Sequence, residues 1–209
     1  MIAIIDYGVG NLFSLLSSLK ACGAEAVVTN DVNVIRSADK LILPGVGAFE
    51  DAAKKLFDSG LDKIVKEEVA SGKPLLGICL GMQLLFETSY EYGVHSGLGL
   101  IPGQVVPMAG KIPAELKIPH IGWNALQFQG EKSPLFKYVE EGECVYFVHS
   151  YHGANCGKNV IATAEYGKDL TAAVAYRNVY GCQFHPEKSG PVGLAILKAF
   201  LETREGEPW

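Results

Sequence analysis

The chain has 209 residues, which fits one α/β domain better than two, and at 48% hydrophobic and 20% charged its composition is that of an ordinary globular protein with ample material for a core. Its net charge of −5 argues against nucleic acid or an acidic membrane surface as the main partner. The cysteines form no Cys-x-x-Cys pair and no Cys/His cluster, which predicts free thiols, no metal site and a reducing compartment. Without a signal-peptide pattern or a membrane-spanning apolar run, we expect one cytoplasmic domain over residues 1–209.

Strand and helix patterns alternate along the first half of the chain. Short apolar runs predict strands at residues 2–6, 26–29, 40–43 and 74–79. Apolar-rich segments predict helices at residues 12–21, 48–71 (interrupted near Gly60) and 82–88. This alternation predicts a parallel sheet covered by helices on both faces.

The second half has closely spaced β-branched and aromatic runs with turn residues between them. They predict antiparallel strands at residues 145–148, 160–164, 172–176 and 179–184. A final amphipathic helix is predicted at residues 191–202. The predicted fold is therefore a single α/β domain with a mixed, mostly parallel central sheet, helices on both faces and an antiparallel extension.

Cys79 lies in the segment Gly77-Ile78-Cys79-Leu80-Gly81, between a predicted strand and a predicted helix. Small flanking residues allow a sharp turn that lifts the side chain clear of the sheet, as in the Gly-x-Ser-x-Gly elbow. The N-terminus of the following helix favours thiolate over thiol, and the Leu80 N–H is placed to stabilise an oxyanion. The pattern fits a nucleophile and a small buried packing cysteine about equally well. A nearby general base would favour the role of nucleophile.

His185 is the histidine best placed to be that base. It precedes Pro186, which favours extended backbone, and extended residues at i and i+2 face the same way. Glu187 would then orient the imidazole, as the third group of a triad. The histidines at 95, 120, 149 and 152 lack such a partner, and we interpret His149 and His152 as hydrogen-bonded structural residues.

These motifs together resemble the class I (triad) glutamine amidotransferases. Within that family, the chain closely resembles the glutaminase subunits of imidazole glycerol phosphate synthases, along essentially its whole length. The segments that narrow the resemblance to these subunits are Leu43-Pro44-Gly45-Val46-Gly47-Ala48-Phe49 and Pro119-His120-Ile121-Gly122-Trp123-Asn124.

The resemblance implies a role for each matching residue. Cys79 would attack the carboxamide of glutamine, His185 would pass a proton to the leaving ammonia, and Glu187 would orient His185. The residues implied to bind substrate are Gly47, Gln83, Glu91, Ser150 and Tyr151. The residues implied to form the oxyanion hole are Val46, Gly47 and Leu80, and a rotating peptide near Val46 is a hypothesis for a gate.

The resemblance also implies a partner. No cofactor is expected, because the sequence has no Gly-x-x-x-x-Gly-Lys-Ser/Thr motif and Gly8-x-Gly10 lacks the third glycine of a dinucleotide fingerprint. Ammonia would pass to a separate (β/α)8-barrel cyclase subunit of imidazole glycerol phosphate synthase, which forms imidazole glycerol phosphate and aminoimidazole carboxamide ribotide in histidine biosynthesis. Trp123, Tyr146 and Lys188 would lie at the face that docks this subunit in a heterodimer. His152 departs from the aromatic or aliphatic residue expected after His-Ser-Tyr, which affects details of the substrate pocket.

Three alternatives stay open at this point. The chain could supply ammonia to another synthase, for anthranilate, aminodeoxychorismate or carbamoyl phosphate. It could be a cysteine peptidase of similar sheet architecture, although Gln83 and the segment around Tyr151 favour amide transfer. It could also be a catalytically silent binding subunit, which the intact set of Cys79, His185 and Glu187 argues against.

Overall fold

A computed structural model describes residues 1–204 of the chain. Residues 205–209, the end of the predicted domain, lie outside the described residues. Among residues 1–204 the α-helices are α1 Leu12–Ala21, α2 Val32–Ser37, α3 Phe49–Asp58, α4 Leu61–Ala70, α5 Leu80–Leu85 and α6 Gly190–Glu202. Short 3-10 turns occupy Pro134–Phe136, Gly157–Asn159 and Pro186–Lys188. No helix in this part of the chain is both long and apolar enough to cross a bilayer.

The strands of the described residues form a central sheet and two smaller sheets. They are β1 Ile2–Ile5, β2 Ala26–Thr29, β3 Lys40–Leu43, β4 Leu75–Ile78, β5 Thr88–Ser89, β6 His95–Ser96, β7 Gln104–Pro107, β8 His120–Ala125, β9 Gln127–Phe128, β10 Cys144–His149, β11 Tyr151–Ala154, β12 Val160–Glu165, β13 Asp169–Tyr176 and β14 Val179–Cys182.

The central sheet has the order β2-β1-β3-β4-β14-β13-β12-β9. Pairing is parallel from β2 to β14 and antiparallel from β14 to β9. Strand β14 joins the two halves, because it is parallel to β4 on one side and antiparallel to β13 on the other. The predicted fold class is confirmed.

Helices cover both faces of this sheet, and the side chains of β1 alternate between them. Ile2 and Ile4 face a core shared with α1 and α6, whereas Ala3 and Ile5 face a core shared with α2, α3, α4 and α5. Each fully buried Leu or Phe side chain contributes about 1.5–3 kcal/mol to such cores. The predicted break at Gly60 is present, because this glycine has a φ of +73° and separates α3 from α4.

Two predictions about the elements differ from the structure. The helix expected at residues 82–88 begins at Leu80 and ends at Leu85, because the chain reverses at Cys79 itself and no separate turn residues are needed. The run at 145–148 forms β10, which pairs with β8 in a ribbon beside the central sheet rather than within it. The third sheet, β11-β7-β5-β6, lies outside the elements predicted from sequence.

Candidate active site

Cys79 occupies the turn between β4 and α5, at the carboxyl end of a strand in the parallel half of the sheet. Its φ of +55° and ψ of −112° are unusual for a residue with a side chain. Its backbone is held on both sides, since its N–H donates to the Cys182 carbonyl at 2.7 Å and its carbonyl accepts from the Gln83 N–H at 3.1 Å. A strained backbone at the predicted nucleophile is typical of a functional turn.

The flanking glycines of this turn are required by close packing. A Cβ at Gly81 would lie 1.8 Å from the Leu43 carbonyl oxygen, and a Cβ at Gly77 would lie 2.8 Å from the Gly81 carbonyl oxygen. Gly45, after β3, is equally confined, because its Cβ would lie 2.7 Å from the Gly81 nitrogen. The turn is therefore pressed against the end of β3, which explains why glycine stands at these positions.

His185 and Glu187 lie side by side, as expected. Nδ1 of His185 is 2.8 Å from Oε1 of Glu187, and the side chains are 2% and 3% exposed. The backbone geometry that brings these two side chains together differs in part from the predicted one. His185 is extended, with φ −100° and ψ +99°, but Glu187 belongs to the 3-10 turn Pro186–Lys188 that follows it.

The surroundings of His185 favour its protonated form. Burial alone would lower the pKa of this imidazole, but the hydrogen bonds to Cys79 and Glu187, and the charges of these two residues, outweigh burial and raise the pKa above its usual value. A protonated imidazole beside a thiol can stabilise the thiolate and later donate a proton to a leaving group.

A cavity of about 400 Å³ opens over this group. It is lined by most of the residues singled out from the sequence, namely Val46, Gly47, Cys79, Leu80, Gln83, Glu91, Ser150, Tyr151, His185 and Lys188. Three further residues, Pro119, Val148 and His149, also line it. Glu187 lies behind His185, and Trp123 and Tyr146 lie outside the cavity. The structure thus brings the predicted nucleophile, base and substrate residues to one place.

Hydrogen bonds fix the polar walls of the cavity. Gln83 is buried, and its Nε2 donates to the Tyr151 carbonyl at 3.2 Å and to Oε1 of Gln183 at 3.0 Å. Oε2 of Glu91 accepts from the Phe49 N–H at 2.8 Å, at the start of α3. Burial raises the pKa of Glu91, and this effect outweighs the Phe49 N–H and the charge of His95, which lower it.

The family model for glutamine amidotransferase class-I matches residues 3–203. The chain is 50% identical to imidazole glycerol phosphate synthase subunit HisH of Syntrophotalea carbinolica, over 96% of this chain and 98% of the relative. It is also 50% identical to the HisH subunit of Sulfurimonas denitrificans, over 98% of this chain and 99% of the relative. The chain belongs to the class-I glutamine amidotransferases, in the HisH group. The resemblance inferred from its motifs is confirmed.

Solved structures share the fold of this amidotransferase. A crystal structure of a glutamine amidotransferase matches with a TM-score of 0.75 at 21% identity, over 97% of this chain and 98% of the other. PurLQS from Thermotoga maritima matches with a TM-score of 0.72 at 19% identity, over 96% of each chain. At these identities the comparison concerns architecture alone.

Sequence reasoning missed Gln183 in this amidotransferase. Its side chain is fully buried, and its Nε2 lies 3.7 Å from Sγ of Cys79. The available indication was a polar residue in the otherwise apolar run that leads to His185. Tyr7 was also missed; its hydroxyl donates to the Pro44 carbonyl at 2.6 Å beside the elbow. Burial, and then the nearby Cys79, raise the pKa of Tyr7.

Of the three residues predicted at the docking face, Trp123 and Lys188 each lie beside Tyr146. The Trp123 and Tyr146 rings meet edge to face with centroids 5.9 Å apart, and Nζ of Lys188 lies 5.9 Å from the Tyr146 ring centroid. Trp123 is 54% exposed, and Lys188 also lines the cavity. This aromatic surface therefore borders the opening of the amidotransferase site.

Replacing Glu187 by glutamine should weaken the base without changing its volume. Loss of the carboxylate charge lowers the pKa of His185, so the alkaline limb of the activity profile moves to lower pH. We expect glutamine turnover to fall by about 100-fold or more. Steady-state kinetics across pH, with a pH profile of Cys79 alkylation, check this; an unchanged alkaline limb would mean that Glu187 does not act on His185.

Proposed function

We propose that this chain hydrolyses L-glutamine to glutamate and ammonia with the triad Cys79, His185 and Glu187. The observation that carries the proposal is the buried contact of His185 with Glu187 beside Cys79, at the base of a polar cavity. Sγ of Cys79 attacks the carboxamide carbon, and His185 donates its proton to the departing ammonia. Water then hydrolyses the γ-glutamyl thioester, with His185 accepting the proton of the water and Glu187 holding the ring.

The cavity walls suit the ends of the substrate. Glu91 places a carboxylate where the α-ammonium of glutamine can pair with it, while Gln83, Ser150 and Tyr151 offer amide, hydroxyl and backbone groups. Val46, Gly47 and Leu80 line the side on which an oxyanion would form. We assign them the substrate-binding and oxyanion roles on this basis.

The proposal is tested by direct labelling. Incubation with a glutamine-like electrophile should add one equivalent to Cys79 and stop release of glutamate, as followed by mass spectrometry and a coupled glutamate assay. Free glutamine should protect Cys79 from labelling. If glutamine is not hydrolysed and does not protect Cys79, the proposed function is wrong.

The ammonia acceptor in this proposal is a (β/α)8-barrel cyclase subunit of imidazole glycerol phosphate synthase. The names and high identity of the HisH relatives support this partner over the anthranilate and aminodeoxychorismate synthases. Trp123, Tyr146 and Lys188 are proposed as part of the docking face, because exposed Trp123 and Lys188 each lie beside half-buried Tyr146 and Lys188 also lines the cavity.

We expect the barrel subunit to activate the glutaminase. The Val46 peptide lies between Gly45, which is tightly packed, and Gly47, which has a φ of +95° and open space around it. Rotation of the Val46 peptide is therefore easiest on the Gly47 side. Docking of the barrel subunit next to this peptide can favour the orientation in which its N–H stabilises an oxyanion. Turnover of glutamine with saturating barrel subunit should exceed that of the isolated chain by about 5–150-fold, the usual range of coupling between sites. Equal turnover in the isolated chain would contradict the gate.

A further inference from the structure

Two buried histidines connect the cavity wall to the surface strand β8. His120 and His149 face each other across the ribbon, with Nδ1 of His120 3.0 Å from Nε2 of His149. Nδ1 of His149 lies 2.9 Å from the carbonyl oxygen of Tyr151. Nε2 of His120 lies 2.7 Å from Oδ1 of Asn124. A continuous chain of contacts therefore runs from Tyr151 in the cavity to Asn124 on β8.

Both ends of this chain are hydrogen-bond acceptors. The Tyr151 carbonyl can only accept. The amide of Asn124 is oriented by its second contact, since Nδ2 donates to the Glu165 carbonyl at 2.9 Å and Oδ1 must then face His120. The three contacts between these acceptors need three ring protons, whereas two neutral imidazoles carry two. A neutral pair leaves one contact without a proton.

The surroundings keep the histidine pair neutral. Burial lowers the pKa of His120, and the contact with Asn124 offsets this only in part. Burial lowers the pKa of His149 to about 3; the Tyr151 carbonyl opposes this shift, and the charges of His120, His152 and His185 add to it. The ring of Tyr166 stacks on His120 with centroids 4.0 Å apart, and the ring of Phe147 stacks on it with centroids 5.1 Å apart. A third proton is therefore disfavoured.

The shortest contact determines where the two protons lie. At 2.7 Å, the contact between His120 and Asn124 is at the short end of the range for N–H···O bonds, so Nε2 of His120 holds one proton. Nδ1 of His120 is then an acceptor. His149 is left with one proton for two acceptors, the Tyr151 carbonyl and Nδ1 of His120. These two acceptors compete.

We propose that Asn124 is a positioning residue for the glutamine pocket, because by fixing the tautomer of His120 it makes the Tyr151 carbonyl share the single proton of His149. The same carbonyl accepts from Gln83, which is bonded to Gln183 beside Cys79. A substitution at Asn124 is therefore expected to alter the hydrogen bonds of Gln83 and Gln183 beside Cys79. The effect on glutamine rests on the proposed glutaminase function, whereas the placement of the protons does not.

The proton placement is tested by NMR on the full chain labelled with ¹⁵N-histidine. In the wild-type protein, Nε2 of His120 should carry a proton and Nδ1 should not. In Asn124→Ala the proton of His120 should move to Nδ1, and Nδ1 of His149 should become fully protonated. The matched control is Gln129→Ala, whose amide bonds to Thr163 and not to either histidine. An unchanged His120 tautomer in Asn124→Ala, or two protons on His120 in the wild type, would overturn the proposal.

The effect on the pocket is tested by a double-mutant cycle on the KM for glutamine. His149→Asn removes the link to His120 while its amide can still donate to the Tyr151 carbonyl. If Asn124 acts through His149, Asn124→Ala made in the wild-type protein should change the KM for glutamine at least about threefold, and kcat should change less than KM. Made in the His149→Asn protein, the same substitution should change KM less than about 1.5-fold. Equal changes in both backgrounds would overturn the relay. Absence of glutaminase activity in the wild type would contradict the proposed function, and the NMR result would still decide the proton placement.

Discussion

Replacing Cys79 by alanine is expected to abolish glutamine-dependent synthesis in the two-subunit complex and to leave ammonia-dependent synthesis intact. Without Sγ no thioester can form, and the residual rate depends only on binding and the polarising groups around the carboxamide. Loss of a nucleophile that works with a base lowers turnover by about 10⁴-fold or more. Product formation with glutamine, and separately with an ammonium salt at high pH, measures the two activities in the same preparation.

The matched control for this variant is Cys144→Ala, because Cys144 is exposed on β10 and lies away from the cavity. It should keep both activities. If Cys79→Ala loses the ammonia-dependent activity as well, Cys79 supports the structure of the complex and its assignment as the nucleophile is wrong.

Replacing Gly81 by alanine is expected to destabilise the fold more than any other single methyl addition at the elbow. The added Cβ would lie 1.8 Å from the Leu43 carbonyl oxygen, and both atoms belong to backbone or are bonded directly to it. Relief of this clash requires α5 to move away from β3. We expect the free energy of unfolding to fall by at least about 4 kcal/mol, which is at the extreme of single substitutions. Chemical denaturation of the two proteins measures the difference.

Gly23→Ala separates this clash from the general cost of replacing a glycine. Gly23 has a φ of +80°, and no atom lies within 4 Å of an added Cβ. Its replacement should therefore cost only the left-handed backbone strain, about 1–2 kcal/mol. A Gly81→Ala protein no less stable than Gly23→Ala would show that the elbow can relax, contrary to its packing.

The parallel half of the fold could be predicted closely from sequence. Helix α1 and strands β2 and β3 have the predicted bounds, because each apolar run is local and turn residues mark its ends. The strands β5, β6 and β9 contain two residues each, and their pairing depends on partners distant in the chain. A period of two cannot be detected in such short segments, so this part of the fold was not predictable.

In the active site too, contacts between neighbouring residues could be predicted, whereas contacts between residues distant in the chain could not. His185 and Glu187 are two residues apart, so their contact could be predicted from sequence, although the 3-10 turn that carries Glu187 was not predicted. The contacts of Gln183 with Gln83 and of Glu91 with Phe49 join residues 100 and 42 positions apart, and only the folded chain brings them together. The substrate and oxyanion roles follow from family resemblance and from the lining of the cavity.

The ribbon formed by β8 and β10 is joined to the segment that carries His185 through the main-chain N–H and carbonyl of Tyr146. The His185 N–H donates to the Tyr146 carbonyl at 3.0 Å, and the Tyr146 N–H donates to Oγ of Ser189 at 3.0 Å. The ribbon contributes only main-chain atoms to these two bonds, so they do not depend on which side chains it carries on its outer face. The side chains on the outer face of the ribbon can therefore change in evolution while His185 keeps its place, so the same base can be combined with outer surfaces of different chemistry.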